Sequence, residues 1–380
     1  MNARAADLRA KGVDVFAFGV GEPDFEPPAY VLEAAKKAID KGVSKYTAVT
    51  GIAPLKQAIC EAAARQKGFS PTPDMVTVTV GAKHALFNLA IALFEPGDEV
   101  VIPAPYWVSY PEQVRMMGAT PVIVETTEAS GWRMSAEDLD RATSARTKAV
   151  VLCTPSNPTG AAYTQSELEA LLAVLRKKDC WLIVDEIYAE LVYDGFQAVS
   201  CRKLAPDLAE RMVVVDGVSK TYAMTGWRIG WSISPKPLAK ALDVVQGQST
   251  TNPTAVAQHA ALAALTGPQE EVARMRSAFQ ARRDAMLAEV ATVEGMRARK
   301  PEGAFYVFAD VRGLYGLRWG GKTVQSDEDV AFFLLDEAGV AAVPGGPFGA
   351  PGYLRMSHAT SEERIRGGFA RIREAVARAR

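Results

Sequence analysis

The chain has 380 residues, of which 48% are hydrophobic and 23% are charged, and its formal net charge is −1. These values are ordinary for a globular protein, so the composition argues against general disorder and allows a large domain with a smaller one. The net charge gives no global electrostatic reason to expect a nucleic acid or an anionic membrane as a partner.

The four cysteines, Cys60, Cys153, Cys180 and Cys201, form no CxxC pair and are too few for a disulfide scaffold. Because Cys153 and Cys180 lie beside apolar runs, we expect both to be small core residues. No apolar stretch approaches the length of a membrane span, and the first residues lack the apolar region of a signal peptide. The sequence therefore predicts a cytoplasmic protein.

Short β-branched runs alternate with helical patterns through the first part of the chain. The predicted strands cover 75–80, 98–103, 120–125, 148–153, 181–186 and 211–217. The helices between them include 82–94 and 164–178, and the second begins with Thr164 and Glu167 in the spacing of a capping box. The alternation predicts an α/β fold with a mostly parallel sheet covered by helices. Ligands of such sheets bind at the carboxyl ends of the strands.

The pattern changes from about residue 268. A long charged helix over 268–290 is followed by a strand-like run at 303–311, a helix over 326–339, a second strand-like run at 340–345 and a basic helix after 360. This order predicts a smaller α+β domain. We expect a large domain over 27–270 and a small domain formed by both termini, 1–26 and 271–380.

Polar and aromatic residues follow the first predicted strands. Gly81, Ala82 and Lys83 form a glycine turn that opens directly into a helix, which fits either an ordinary connection or a phosphate site made of free backbone N–H groups. Trp107 is expected either to be a core residue or to be an aromatic side chain that stacks on a planar ring. Asn157 lies between two prolines, which fix the direction of its amide and favour a ligand contact.

The next strand ends in a carboxylate. Asp185 follows four apolar residues, so we expect it either to pair with a cation or protonated nitrogen, or to cap a helix. Tyr188 lies three residues further on and shares a face with Asp185 if the chain turns helical.

The last predicted strand leads to a lysine and an arginine. Ser219 and Lys220 follow its end, whereas Arg228 and Arg355 lie among apolar residues, where a guanidinium needs an anionic partner. A phosphorylated aromatic aldehyde with a ring nitrogen, pyridoxal phosphate, uses all of these groups. The lysine would bind it covalently, and the aspartate would keep its ring nitrogen protonated.

These motifs resemble those of the class I aminotransferases of fold type I, and in particular the prokaryotic aspartate aminotransferase branch. The resemblance covers almost the whole chain and rests on GEPDF (21–25), KYTAVTG (45–51), GAKHALFN (81–88), PYWVSYP (105–111), SNPTG (156–160), DEIY (185–188), SKTYAMTGWRIG (219–230), QSTT (248–251), GAFY (303–306), VPGGPFG (343–349) and LRMS (354–357). It implies a large pyridoxal phosphate-binding domain with a mostly parallel seven-stranded sheet covered by helices, plus a smaller α+β domain.

The resemblance implies roles around the cofactor ring. Lys220 would bind pyridoxal phosphate covalently and move the Cα proton of the substrate. Asp185 would pair with the ring nitrogen, and Tyr188, helped by Asn157, would contact the ring hydroxyl. Trp107 would stack on the ring and border the substrate.

It also implies how the two anionic ends are bound. Ser219, Arg228 and the turn 81–83 would bind the phosphate, together with Tyr46 of the partner subunit, so a homodimer is expected. Arg355 would bind the α-carboxylate of the substrate, with Asn157, Trp107 and the backbone of Gly21 beside it.

The implied reaction is a ping-pong transfer of an amino group between an L-amino acid and a 2-oxo acid such as 2-oxoglutarate, through pyridoxamine phosphate. Lys83 is associated in this branch with a distal carboxylate, which favours aspartate or glutamate. The branch also includes enzymes that use prephenate or aromatic substrates, and lyases that eliminate a substituent, such as carbon-sulfur lyases, use the same constellation. A non-catalytic sensor would carry an additional DNA-binding domain, and a degenerate relative would have lost the lysine or the arginines.

Three histidines have no expected role in the chemistry. His358 stands where relatives often have tyrosine, a change that we expect to be nearly neutral at the surface or in the core. His84 and His259 are expected to be structural, because no metal-ligand grouping forms around them.

Overall fold

The computed structural model describes residues 2–380, with side chains from residue 4 onward. Its helices are α1 (Asn2–Ala10), α2 (Ala29–Asp40), α3 (Ala53–Ala62), α4 (Ala82–Leu93), α5 (Ser109–Met116), α6 (Ala136–Ala142), α7 (Gln165–Leu175), α8 (Cys201–Leu204), α9 (Val218–Thr221), α10 (Lys236–Gly247), α11 (Ala255–Thr266), α12 (Glu270–Val290), α13 (Asp327–Ala338) and α14 (Glu362–Ala379). Its strands are β1 (Phe16–Ala17), β2 (Val76–Thr79), β3 (Glu99–Ala104), β4 (Thr120–Glu125), β5 (Thr147–Cys153), β6 (Trp181–Asp185), β7 (Met212–Gly217), β8 (Gly230–Ile233), β9 (Arg297–Ala298), β10 (Tyr306–Asp310), β11 (Arg318–Trp319), β12 (Lys322–Thr323), β13 (Val340–Ala341), β14 (Val343–Pro344) and β15 (Tyr353–Ser357).

Within residues 2–380, seven strands form the large sheet in the order β2-β8-β7-β6-β5-β3-β4. The pairs from β7 to β4 are parallel, whereas β8 is antiparallel to both β2 and β7. The predicted α/β fold with a mostly parallel seven-stranded sheet is thus confirmed. The six strands predicted from β-branched runs all lie in this sheet, and β8 is the member that the sequence pattern did not reveal.

Helices cover both faces of the sheet because successive side chains of its strands point to opposite sides. Ile183 of β6 packs in one apolar cluster with Leu89 of α4. Its neighbour Val184 packs in another cluster with Leu171 of α7. At the start of α7, Thr164 forms the predicted capping box with residue 167.

The C-terminal part of the chain contributes a second, antiparallel sheet in the order β14-β15-β10-β9. β1 pairs in parallel with β13, and Phe18 stacks on Phe369 of α14 in an apolar cluster of residues from both ends of the chain. The N-terminal segment therefore packs against the C-terminal part. The proposed domain boundaries, 27–270 and 1–26 with 271–380, stay a prediction. None of the helices in residues 2–380 combines the length and apolar character that crossing a membrane requires.

Candidate active site

A cleft of about 590 Å³ opens where β3, β5, β6 and β7 end. Parallel strands with covering helices are expected to bind ligands at this edge. Most of the residues singled out in the sequence line this cleft: Gly21, Ala82, Lys83, Trp107, Asn157, Asp185, Tyr188, Ser219, Lys220, Arg228 and Arg355. The fold thus brings together residues that are far apart along the chain.

The N-terminus of α4 and Arg228 form a cationic corner of the cleft. Gly81 is the residue before α4, with φ of 82° and no side-chain cap, so the first-turn N–H groups are left for another acceptor. A Cβ at Gly81 would lie 2.5 Å from Nη2 of Arg228. Arg228 donates to the carbonyl oxygens of Thr225 and Val80, at 2.8 and 3.4 Å. These are neutral acceptors, so the charge of Arg228 is available to an anion. Ser219 lines the same cleft.

Lys220 projects into the cleft from α9, directly after β7. Its Nζ donates a hydrogen bond of 2.6 Å to the carbonyl oxygen of Gly21. The pKa of Lys220 is lowered to about 8, chiefly by burial; Glu22 opposes this shift, and Arg355 and Arg228 contribute to it. Neutral amine is therefore accessible near neutral pH, as a nucleophile or a general base requires.

Asp185 ends β6 with a side chain that is only 3% exposed. Its Oδ2 accepts a hydrogen bond of 2.7 Å from the Tyr110 hydroxyl, and its Oδ1 accepts one of 3.2 Å from the Ile187 N–H. The alternative that Asp185 caps a helix is wrong, because residues 187–190 form a turn and no helix, and Oδ1 instead accepts from the N–H two residues further on. Burial raises the pKa of Asp185 to about 6. The buried carboxylate would be stabilised by a cationic ligand group.

Arg355 is held in place by two acceptors. Its Nη1 donates to Oδ1 of Asn157 at 3.0 Å, and its Nη2 donates to the carbonyl oxygen of Gly19 at 2.9 Å. The guanidinium also lies 4.6 Å from the centre of the Tyr306 ring. Its Nε is buried and has no hydrogen-bond partner among the described residues. The group is oriented and retains capacity for a carboxylate.

Two further aromatic contacts shape the cleft. The hydroxyls of Tyr188 and Tyr306 lie 2.9 Å apart, and both side chains are buried. Nζ of Lys83 lies 4.8 Å from the centre of the Trp107 ring, and Trp107 meets Tyr110 edge to face at 5.5 Å.

Sequence reasoning missed Tyr306 and Glu22 as contributors to the site, and it noted Tyr110 only as an aromatic residue after a strand, without its contact to Asp185. Tyr110 positions Asp185, Tyr306 contacts Tyr188, and Glu22 accepts a hydrogen bond of 2.9 Å from Thr225. All three lie in the quoted motifs 105–111, 303–306 and 21–25, so the motifs were informative, but no spacing rule identified their partners.

For several residues the structure differs from the expectation based on the sequence, or it decides between two alternatives that the sequence left open. Tyr46 is absent from the cleft of its own chain among the described residues; it is 90% exposed and lines a surface groove with 43–45 and 254–256. Cys180 is buried as expected, but Cys153 lines the cleft and is only half-buried, because β5 ends there. His358 is 0% exposed, which places it in the core and not at the surface. In residues 4–380, no group of three or more His, Cys, Asp or Glu side chains is placed to hold a metal ion.

Comparisons with known proteins identify the family and the fold. The family model described as aminotransferase class I and II matches residues 13–372. The aspartate/prephenate aminotransferase of Cereibacter sphaeroides is 47% identical over 97% of this chain and 93% of its own length. The crystal structure of the aspartate aminotransferase from Rhizobium meliloti is 44% identical, with a TM-score of 0.96 over 100% of this chain and 95% of that chain. The Thermus thermophilus aspartate aminotransferase with maleate is 43% identical, with a TM-score of 0.91 over 98% and 95%.

Proposed function

The chain belongs to the aminotransferase class I and II family, and on this premise we propose that it transfers the amino group of an acidic L-amino acid, aspartate or glutamate, to a 2-oxo acid such as 2-oxoglutarate. It is a pyridoxal phosphate-dependent transaminase, and the acidic substrate is the proposed part. The observation that carries the proposal is that Lys83 and Arg355 place two separate cationic groups in the cleft that holds Lys220.

The residues of the cleft fit pyridoxal phosphate at three points. The guanidinium of Arg228 lies against the Gly81 turn, where a Cβ would fill the space, and this corner suits a phosphate. The buried carboxylate of Asp185 suits a protonated ring nitrogen. Lys220, with its lowered pKa, suits covalent attachment of an aldehyde.

Each residue then has a defined task. Bound pyridoxal phosphate supplies an electron sink that makes the Cα proton of the substrate acidic. Nζ of Lys220 takes up that proton, because its neutral form is accessible near pH 8. With the cofactor bound, Asp185 would hold the proton of the ring nitrogen, and Tyr188 and Asn157 would contact the ring hydroxyl. Trp107 would stack on the ring and exclude water from it.

Arg355 binds the α-carboxylate of the substrate, because Asn157 and the Gly19 carbonyl oxygen fix its guanidinium. Gly21 borders this position through its backbone. Lys83 binds the distal carboxylate from the Trp107 side of the cleft. Maleate, with which the related Thermus thermophilus structure was determined, is also a dicarboxylate.

The working unit is a homodimer in which Tyr46 of the partner subunit completes the phosphate site. Tyr46 is 90% exposed and lies outside the cleft of its own chain, so its side chain is accessible to a second subunit. The cytoplasmic location and the two-domain division stay predictions from the sequence.

The acidic substrate is tested by replacing Lys83 with alanine, with Lys83→Arg as the charge-conserving control. We expect kcat/KM for L-aspartate to fall by about 10- to 100-fold in Lys83→Ala, as loss of one charged contact predicts. The value for L-2-aminobutyrate, which lacks the distal carboxylate, should change by less than about threefold. An equal fall for both amino acids would show that Lys83 serves the phosphate and would contradict its role in substrate choice.

A further inference from the structure

Lys67 is a buried lysine that lies outside the cleft. It has no part in the reaction described above. It is 9% exposed and ends a π-helical turn, Ala63–Lys67, which extends α3 and is followed by Gly68 with φ of 72°. Its Nζ lies 2.7 Å from Oε2 of Glu186 and 2.9 Å from Oδ2 of Asp216. Burying an ammonium group is unfavourable unless it is paired, and here two carboxylates pair with it.

Both carboxylates are chain neighbours of site residues. Glu186 directly follows Asp185 at the end of β6, and its N–H donates to the carbonyl oxygen of Val215 in β7 at 2.9 Å. Asp216 lies in β7, four residues before Lys220. Lys67 therefore joins the ends of the two adjacent strands that deliver the carboxylate and the amine of the site.

The contacts also set the local charge. One positive and two negative groups leave the set of Lys67, Glu186 and Asp216 with a net charge of −1. Oε1 of Glu186 accepts a further hydrogen bond of 2.7 Å from Ser200. Without the ammonium group, two buried carboxylates would face each other directly behind the site. A buried ion pair of this kind is a weak source of net stability, so stability alone is a poor explanation for Lys67.

We propose that Lys67 is a positioning residue that holds the ends of β6 and β7 together and offsets the charge of Glu186 and Asp216 behind Asp185 and Lys220. The inference rests on the cofactor-dependent function proposed above. It assigns to Lys67 no contact with substrate or cofactor.

Other ionisable groups also influence Lys220, Asp185 and Lys67, and none of them is replaced in the test. Those that act on Lys220 are Glu22, Arg355, Arg228 and Asp185. Those that act on Asp185, besides Glu186 and Asp216, are Tyr110 and Cys153. Glu190 faces Lys67 and is itself influenced by Arg276 and Arg65. None of these residues is itself replaced, but Glu190 is coupled to both Lys67 and Asp216, so the reversal in the double variant, and not one shift alone, assigns the effect to the Lys67 set.

The test compares four holoenzymes: wild type, Lys67→Met, Asp216→Asn and the double variant. The readout is the pH at which half of the pH-dependent change in visible absorption of the lysine-bound cofactor has occurred. Negative charge stabilises the protonated form, so Lys67→Met should raise this midpoint by about 0.5 to 1 pH unit. Asp216→Asn removes a negative charge and should lower it. The double variant again has a net charge of −1 in this set and should return close to the wild-type midpoint.

Equal midpoints in all four proteins, with only the melting temperatures changed, would overturn the inference and leave Lys67 a structural residue. If Lys67→Met does not fold, the downward shift in Asp216→Asn and its reversal in the double variant decide the question. A wild-type protein with no cofactor band would contradict the proposed function, whereas a wild-type band that the variants do not shift contradicts only the role of Lys67.

Discussion

The Asp185 carboxyl lies where ionisation is unfavourable as long as no cation faces it. Burial raises its pKa from the usual 3.8 to about 6. The folded, cofactor-free chain therefore binds this proton more tightly than the unfolded chain does. The resulting stabilisation is complete below about pH 4 and is lost as the pH rises through about 6. A protonated ring nitrogen would compensate for this loss. The buried carboxylate therefore lowers the stability of the cofactor-free protein and increases its affinity for the cofactor.

We therefore predict that Asp185→Asn stabilises the cofactor-free protein at pH 7.5 by about 1–3 kcal/mol, because the amide does not ionise. The difference from wild type should be much smaller at pH 4.5. Denaturant unfolding of both cofactor-free proteins at the two pH values measures it. With cofactor bound, the order should reverse, since only the carboxylate pairs with the ring nitrogen. A difference that is the same at both pH values would contradict the buried, proton-binding carboxylate.

At the level of elements, the cationic corner of the cleft, formed by Arg228 and the N-terminus of α4, depends on a close approach of β8 to the start of α4. A Cβ on Gly230 would lie 2.6 Å from the carbonyl carbon of Gly81 and closer still to the Ala82 nitrogen. No real side chain fits there, so any residue other than glycine must push the helix N-terminus away from Arg228.

Gly230→Ala should therefore weaken binding of pyridoxal phosphate by about tenfold or more, as overpacking of a tight contact by one methyl group predicts. Gly226→Ala is the matched control, because no atom lies within 4 Å of a Cβ at that position. Titration of the cofactor-free proteins, followed by visible absorption, gives both dissociation constants. Equal affinities in the two variants would show that the α4 N-terminus does not form the phosphate site.

The sequence predicted elements well where one local signal was strong. The β-branched runs that form β3, β5, β6 and β7 are buried on both faces. Their continuous apolar composition can therefore be recognised from the sequence alone. β8 begins with glycine and has four residues, so it carried no such signal.

The residues of the site likewise divide into those that a local sequence pattern identifies and those that only the fold brings together. The position of Asp185 after an apolar run made it a candidate, but its partner Tyr110 is 75 residues away along the chain. Lys67 and Glu186 are separated by 119 residues, so no local pattern could connect them.

For the whole molecule, the proposed dimer gives Tyr46 a function that the single chain does not. Tyr46→Phe should weaken binding of pyridoxal phosphate by about 3- to 30-fold, because one hydrogen bond to a charged phosphate is lost. Sedimentation should show an unchanged dimer, since the aromatic ring remains. Unchanged cofactor affinity would place Tyr46 outside the phosphate site, and a monomeric wild-type protein would contradict the shared site altogether.

Amino transfer from an acidic substrate is tested most directly by the visible absorption spectrum of the holoenzyme, recorded before and after adding L-aspartate and then 2-oxoglutarate. We predict that aspartate converts the band of the lysine-bound cofactor into that of pyridoxamine phosphate and that 2-oxoglutarate restores it. Lys220→Ala should lack the lysine-bound band and the cycle. A wild-type band that does not respond to aspartate, or an oxo acid released without any need for the second substrate, would contradict the proposed reaction.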